Sequence, residues 1–341
     1  MPQAEAMSAA QAPFLAADVG GTHARIGLVR AAAGGRVTVL AYRKYACADF
    51  PGLGEILRDF IDREAGVPVA DCALACAGYA LNGTVINTNL PWIVSIPKLR
   101  ADLALDRLSL INDFEAVAYA ARFVERGKTV LLAGPEIAEG PILVVGPGTG
   151  LGSAVYIPGY GRATVLATEA GQINLAPVTA LERELLARLA VDDGYVSYEH
   201  ILSGPGLQTL YGALGGIRGQ LPVLSSPEEI TAAALDGGDP LAVEALDAFC
   251  ALLGSFTGNL AMLYSARGGV YLTGGILPRM RSFLERSRFV ERFLDKGRMR
   301  AFLERVPVRL MEHGQLGVLG AAGWYLDNRD ESSADNGGGR R

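Results

Sequence analysis

The sequence is poor in several features that would have narrowed its class at once. Only 4 of its 341 residues are cysteine, too few for a disulfide scaffold. Cys72 and Cys76 lie in an apolar, strand-like segment without histidine neighbours, so they read as buried free thiols and not as a zinc site. No apolar run is read as approaching the roughly 18 residues that a membrane helix needs. The start, Met1-Pro2-Gln3-Ala4-Glu5-Ala6-Met7-Ser8, lacks the basic and apolar regions of a signal peptide. A positive face is missing too: 31 Lys and Arg stand against 36 Asp and Glu, a net charge of -5. No basic cluster interleaved with aromatics occurs, which argues against a nucleic-acid or membrane-surface partner. What remains is the profile of a soluble globular protein, expected in the cytoplasm, long enough for two domains.

Two familiar phosphate motifs are also absent. Asp18-Val19-Gly20-Gly21-Thr22 is followed by a second apolar run and not by a helix. It carries neither the Gly-Lys-Ser/Thr ending of a Walker loop nor Gly-x-Gly-x-x-Gly spacing. Strand, glycine turn and strand make a hairpin. Gly20 and Gly21 let the backbone turn tightly and present N–H groups to an anion, and Thr22 adds a hydroxyl. Asp18 makes sense beside phosphate if it holds Mg²⁺, directly or through water; the competing reading is an ordinary hairpin with a turn-forming Asp.

Further along, Val37 to Tyr45 reads as a strand, Leu53 to Ile61 as a helix and Ala70 to Ala77 as a buried strand. Asn82-Gly83 signals a hairpin turn. Asn87 to Trp92 is a polar loop that borders a substrate or simply the surface, and Ile96 to Leu99 starts a short helix. Leu108-Ser109-Leu110-Ile111-Asn112-Asp113-Phe114 then runs from a strand into a helical pattern, which puts Asp113 at a strand-to-helix corner. Carboxylates there face ligand crevices in open α/β sheets, although Asn112 and Asp113 are equally suited to capping the helix.

A second unit repeats the plan. Pro141 to Val145 reads as a strand ending in Gly146-Pro147-Gly148-Thr149-Gly150-Leu151-Gly152, the richer of the two phosphate turns, with Gly148, Thr149 and Gly150 as candidate contacts. The repetition suggests a duplicated fold that holds nucleotide between its halves. A polar loop, Ala167 to Asn174, carries Glu169 and Gln172, and a helix spans Thr179 to Leu189. Glu199 precedes a Gly204-Pro205-Gly206 turn; taken singly, Glu169 and Glu199 read as solvated surface acids, and His200 as structural. A long Ala/Leu-rich helix, Pro240 to Ala266, leads to a strand and a third glycine turn, Thr273-Gly274-Gly275-Ile276, where bare backbone suits an adenosine. A helical region from Arg279 to Phe302, a strand from Val306 to Met311 and a helix from Gly317 to Leu326 follow. Residues 1–12 and those from Asp327 on read as disordered tails.

Taken together, Asp18-Val19-Gly20-Gly21-Thr22, Ile111-Asn112-Asp113-Phe114, Gly146 to Gly152, Leu202 to Leu207 and Thr273 to Pro278 stand in an order and at spacings that closely resemble bacterial ATP-dependent glucokinases. The match is to the branch outside the repressor/kinase group, whose cysteine-rich zinc motif is missing here, and it covers residues 14–326. The resemblance implies an α/β, two-domain actin/hexokinase-like (ribonuclease H-like) fold with an interdomain cleft. Residues 13–122 and 313–326 would form the small domain and 123–312 the large one. It implies ATP and Mg²⁺, a glucose or related hexose substrate, and a homodimer. By carry-over Asp113 is the general base, Asn112, Glu169 and Glu199 bind sugar hydroxyls, and the three glycine turns hold ATP. The family's usual Glu-Gly-Gly-His is Glu169-Ala170-Gly171-Gln172 here, so Gln172 stands where a sugar-binding histidine is expected. That departure keeps other readings in view: a kinase for another hexose or an amino sugar, a sugar-binding regulator with weakened catalysis, or a plain ATPase.

Overall fold

Phe14-Leu15-Ala16-Ala17 has no polar side, and the computed structural model shows the reason. The strand it forms, β1 (Phe14–Val19), is buried on both faces. The structure describes residues 12–32, 36–81, 83–86, 90–124, 126–159, 163–190, 194–311 and 314–329. The chain divides into two units, Met1–Val124 with His313–Arg341, and Glu125–Glu312.

In the first unit, β1, β2 (His23–Ala31), β3 (Val37–Ala46), β4 (Asp71–Cys76) and β8 (Arg107–Asn112) form one sheet in the order β3-β2-β1-β4-β8. The β1–β2 and β2–β3 pairs are antiparallel, the β1–β4 and β4–β8 pairs parallel. Side chains alternate across a strand, so Leu15, Ala17 and Val19 pack with Leu53, Ile56, Leu57 and Phe60 of the helix Leu53–Phe60. Phe14 and Ala16 face the other way, toward Ala116, Val318, Ala321 and Tyr325. Those residues belong to the helix Asp113–Ala121 and the C-terminal helix Leu316–Asn328. The two helices touch backbone to side: a Cβ at Gly320 would run into the carbonyl of Ala116. A small second sheet, β5 (Tyr79–Leu81), β6 (Thr84–Ile86) and β7 (Val94–Ser95), closes through Gly83 at φ +76°. Asn82 and residues 87–89 of the expected polar loop lie outside the described residues.

The second unit repeats this order. Its sheet contains β9 (Thr129–Ala133), β10 (Ile142–Pro147), β11 (Leu151–Ile157), β12 (Thr164–Thr168), β13 (Gly269–Leu272) and β14 (Val308–Met311), arranged β12-β11-β10-β13-β14-β9. Apart from β9 at the edge, the pattern is that of the first sheet, with an antiparallel three-strand meander on one side of β10 and parallel strands on the other.

Several expectations need correction. The helix Pro240–Leu263 is long and apolar enough by composition to cross a membrane, contrary to the reading of the sequence, but 83% of that window is buried. Most of its residues lie in the core of this unit, and a helix so largely apolar is what a core position selects, with Glu244 and Asp247 at its one polar edge paired to Arg218 and Arg288. Gly204-Pro205-Gly206 is the start of the helix Gly204–Arg218, with Ser203 as its cap, and not a turn. Ala167 and Thr168 belong to β12 because Thr168 pairs with Ser153 of β11. The Arg279 to Phe302 region breaks into the short helices Arg281–Arg286, Phe289–Leu294 and Arg300–Leu303. The final helix continues through Asp327 and Asn328, whose pairing partners include Arg122 and the Trp324 carbonyl. The tails otherwise lie outside the described residues.

One buried ion pair holds helices together across the second unit. Glu182, on the helix Ala180–Leu189, accepts from Arg292 at 2.6 and 3.3 Å and from the N–H groups of Val178 and Thr179. Burial pushes the Glu182 carboxyl up, but Arg292 and those backbone donors outweigh it and hold it below its ordinary value. The stability it contributes is therefore present above the ordinary carboxylate range and is lost as the pH falls through that lowered value. Arg292→Met strands a buried carboxylate and should lower the free energy of unfolding by about 3–5 kcal/mol and flatten this acid limb. Urea titrations between pH 3 and 7 measure both, and a loss under about 1 kcal/mol would show the pair to be dispensable.

Candidate functional site

The first glycine turn joins β1 to β2, and Asp18 lies directly across the ladder from Arg25. That register explains their ion pair, at 3.3 Å. Burial raises the Asp18 carboxyl above its ordinary value, and Arg25 partly offsets this. The carboxylate also fills the space beside Gly317, where a Cβ would collide with it. Gly20 N–H donates to the His23 carbonyl, Cys47 N–H to the Thr22 carbonyl and the Cys47 thiol to the Gly20 carbonyl. Thr22 itself is exposed. Neither Gly20 nor Gly21 has a left-handed φ, so the expected conformational reason for glycine fails here. At Gly20 an added Cβ would meet nothing nearer than 3.7 Å, which leaves access to the backbone as the use of the missing side chain.

The strand-to-helix corner combines both readings of its sequence. Asn112 caps the helix: its Oδ1 accepts from Phe114 N–H at 2.9 Å and Glu115 N–H at 3.2 Å, and Glu115 reaches back to Asn112 N–H. With the cap assigned to Asn112, Asp113 stands on the first helical turn, half-exposed, with Oδ1 accepting from Phe114 N–H at 2.9 Å. The orphan N–H groups and dipole of a helix start favour negative charge.

In the second unit the glycine turn between β10 and β11 is shorter than its four glycines suggest. Gly146 and Gly152 are paired within the strands, and Gly148-Thr149-Gly150 alone forms the turn, closed by Gly148 N–H to the Gly150 carbonyl at 2.7 Å. Thr149 is exposed. Two other motifs meet this turn. Gly204 N–H donates to the Gly148 carbonyl at 2.8 Å, bringing the start of the helix Gly204–Arg218 to it. Gly274, at φ +100°, lies against the Pro147 carbonyl.

Glu199 sits beside that assembly, half-buried and not a freely solvated acid. Its Oε2 accepts from Leu151 N–H at 2.8 Å, and its Oε1 accepts from the Gln172 side-chain amide at 2.8 Å. Its own N–H donates to the Gly171 carbonyl, and its carbonyl accepts from Ser203 Oγ. Gln172 is also pinned through its backbone carbonyl by the Tyr195 hydroxyl. The sequence held no signal for Tyr195 or for the Leu151 N–H. Glu169 is exposed, and among the described residues no hydrogen bond or ion pair fixes its carboxylate. His200 is exposed and bonds locally with Ser197.

Among the described residues no cluster of three or more His, Cys, Asp or Glu is set to hold a metal. Asp18 offers a single carboxylate. That donor set fits Mg²⁺ arriving on nucleotide phosphates, since Mg²⁺ keeps several waters and needs only one or two carboxylates. The four cysteines are free and buried; burial pushes the Cys72 and Cys250 thiols up to about 12, so they are inert.

The chain matches the sequence profile of the family described as Glucokinase over residues 15–328. It is 51% identical over 320 residues to a glucokinase-like protein of Xylella fastidiosa, spanning 93% of this chain and 95% of that one. It is 38% identical over 313 residues to a glucokinase of Saccharophagus degradans, spanning 92% and 98%. A solved glucokinase from an Antarctic psychrotroph superposes with a TM-score of 0.83 at 36% identity, covering 92% of this chain and 98% of that one. A glucokinase of the ROK family from Streptomyces griseus, solved with glucose and AMPPNP, shares the fold with a TM-score of 0.59 at 22% identity, covering 92% and 99%.

The glycines of the turns separate by cause. Added Cβ atoms at Gly148 and Gly275 would meet nothing within 4 Å, and neither has a left-handed φ. Gly148→Ala and Gly275→Ala should therefore leave the thermal midpoint within about 2 °C of the parent while weakening ADP binding in calorimetry. Gly274→Ala should cost at least about 1–3 kcal/mol of stability, through its left-handed φ and through collision with the Pro147 carbonyl. Unaltered ADP affinity in the first two variants would remove these turns from the phosphate site.

Proposed function

The chain belongs to the glucokinase family, and from that we propose that it transfers the γ-phosphoryl group of ATP to the 6-hydroxyl of D-glucose, giving glucose 6-phosphate and ADP. The observation that carries the reading is the division of labour at the β8 corner. Asn112 supplies the helix cap, so Asp113 is not needed for it and stays at the helix start as a half-exposed carboxylate.

Phosphoryl transfer asks a protein mainly for positioning and charge neutralisation. Asp113 accepts the proton of the 6-hydroxyl as that oxygen attacks the γ-phosphorus. Asn112, Glu169, Gln172 and Glu199 orient the other hydroxyls. Glu199 enters this role already fixed by Leu151 N–H and Gln172, which lowers the ordering cost of binding. The turns at Gly20-Gly21-Thr22, Gly148-Thr149-Gly150 and Gly274-Gly275 offer N–H groups and hydroxyls to ATP. Asp18 would hold Mg²⁺, directly or through water, and the bound ion would neutralise phosphate charge. Four free thiols suit a reducing compartment, and we take the reaction to occur in the cytoplasm, feeding glycolysis, in a homodimer.

A second reading, a kinase for a different hexose, is favoured by one observation: Gln172 fills the position of the expected histidine and engages Glu199 directly. ADP release with Mg²⁺-ATP and glucose, mannose, fructose, galactose or N-acetylglucosamine separates the readings. Glucose should give the highest turnover. Asp113→Asn keeps the acceptor for Phe114 N–H and should fold normally, yet lose at least about a hundredfold in turnover. Near-parental turnover in that variant would sink the general-base assignment, and ATP hydrolysis indifferent to sugar would sink the kinase reading.

A further inference from the structure

The Glu199 carboxylate is held from two directions, and one of them is the glycine turn assigned to nucleotide. Its Oε2 accepts from Leu151 N–H, the residue immediately after Gly148-Thr149-Gly150. A Cβ built on Gly150 would stand 2.6 Å from that same Oε2 and 3.2 Å from the Glu199 Cδ. Gly150 does not have a left-handed φ, so the turn's conformation does not demand glycine. The atom in the way is the end of a flexible side chain, so a methyl group there displaces the carboxylate and leaves the backbone in place. Gly171 differs: its missing side chain accommodates the Leu151 carbonyl, which cannot yield so easily. The other oxygen, Oε1, accepts from the Gln172 amide.

Main-chain bonds reinforce the arrangement. Ser203 Oγ donates to the Glu199 carbonyl and accepts from Gly206 N–H. Gly204 N–H in turn donates to the Gly148 carbonyl. Glu199 is thereby tied to both ends of one three-residue turn, through its carboxylate to Leu151 and through Ser203 and the helix start to Gly148.

We propose that Gly150 and Gln172 are positioning residues for the Glu199 carboxylate, so that the turn assigned to nucleotide also sets the affinity for the sugar. The inference deepens the proposed function, because it rests on Glu199 as a sugar ligand. It assigns Gly150 a sugar-directed role that its place in a phosphate turn does not suggest.

Isothermal calorimetry on the full chain tests it, with glucose titrated in the absence of nucleotide and ADP in the absence of sugar. Gly150→Ala and Gln172→Leu should each raise the glucose Kd about tenfold, the scale of one lost hydrogen bond to a charged group, with the thermal midpoint unmoved. Gln172→His keeps an N–H donor and should recover most of the loss. In a Glu199→Gln background, Gly150→Ala and Gln172→Leu should each cost glucose binding nothing further, a non-additivity that neither general damage to the fold nor a direct Gln172–sugar contact would produce. A Gly150→Ala protein with altered ADP affinity and parental glucose affinity overturns the inference alone. So does a full additional loss in the Glu199→Gln background. A parent protein that binds none of the sugars of the panel overturns the proposed function and this inference together.

Discussion

Where Gly150 has no side chain, the carboxylate of Glu199 stands, and much of the second unit's site depends on that exclusion. The neighbouring segments approach one another backbone to backbone: Gly274 against the Pro147 carbonyl, Gly171 against the Leu151 carbonyl, Gly204 N–H on the Gly148 carbonyl. The first two contacts need a bare Cα, because a Cβ there would collide with the facing carbonyl oxygen. Interiors are packed too densely to absorb an extra methyl group for free, so the spacing of glycines fixes how closely the chain can draw around the turn. A buried or half-buried carboxylate also needs donors, and Leu151 N–H and Gln172 provide them.

The first unit solves a related problem with a helix start. Asn112 takes the N–H groups of Phe114 and Glu115, which have no partner within the helix, and Glu115 closes the capping box. The capping work therefore falls on a neutral side chain, and the charged one, Asp113, remains at the corner. Gly320 allows the C-terminal helix to lie close on Ala116 of the same helix. A segment over 190 residues later in the chain thus fixes the helix on which Asp113 stands. Both units place a glycine turn or a helix start at the ends of their parallel strands, Gly20-Gly21 after β1, Asp113 after β8, Gly148-Thr149-Gly150 after β10 and Gly274-Gly275 after β13, whereas Glu169, Gln172 and Glu199 come from the segments beyond the antiparallel edge strand β12.

Sequence patterns made this framework legible because strand and helix periods are local. The hairpin at Gly20-Gly21, the corner at Asp113 and the glycine turns after β10 and β13 could be read from spacing alone. The contacts that define the site could not. Glu199 and Leu151 are 48 positions apart, and Glu182 and Arg292 are 110 apart; neither distance leaves a periodic trace. The membrane-length apolarity of Pro240–Leu263 is masked in the sequence because Glu244, Asp247 and Asn259 break it into shorter apolar runs while its mean hydropathy stays high. Gly204-Pro205-Gly206 looked like a turn by composition, yet Pro is well tolerated in the first turn of a helix, and Ser203 supplies the cap. The first glycine turn differs in the opposite sense: its composition suggests a conformational need at Gly20 and Gly21, whereas neither has a left-handed φ.

Gln172 shows how a departure from a family pattern can preserve a physical requirement while changing its character. An amide presents an N–H donor to Glu199 at every pH the cell meets, whereas a histidine titrates near pH 6.5 and alternates between one donor and two. The cost of the amide is rotamer freedom, on the order of 1.5–2 kcal/mol for a glutamine that must be held in one geometry. That cost is contained from both ends of the residue, because Tyr195 holds its backbone carbonyl and Glu199 its side-chain nitrogen. The carboxylate that faces the proposed sugar is thus fixed by donors that do not titrate, Leu151 N–H and the Gln172 amide. Its geometry depends on packing around the turn and not on the protonation of its partner.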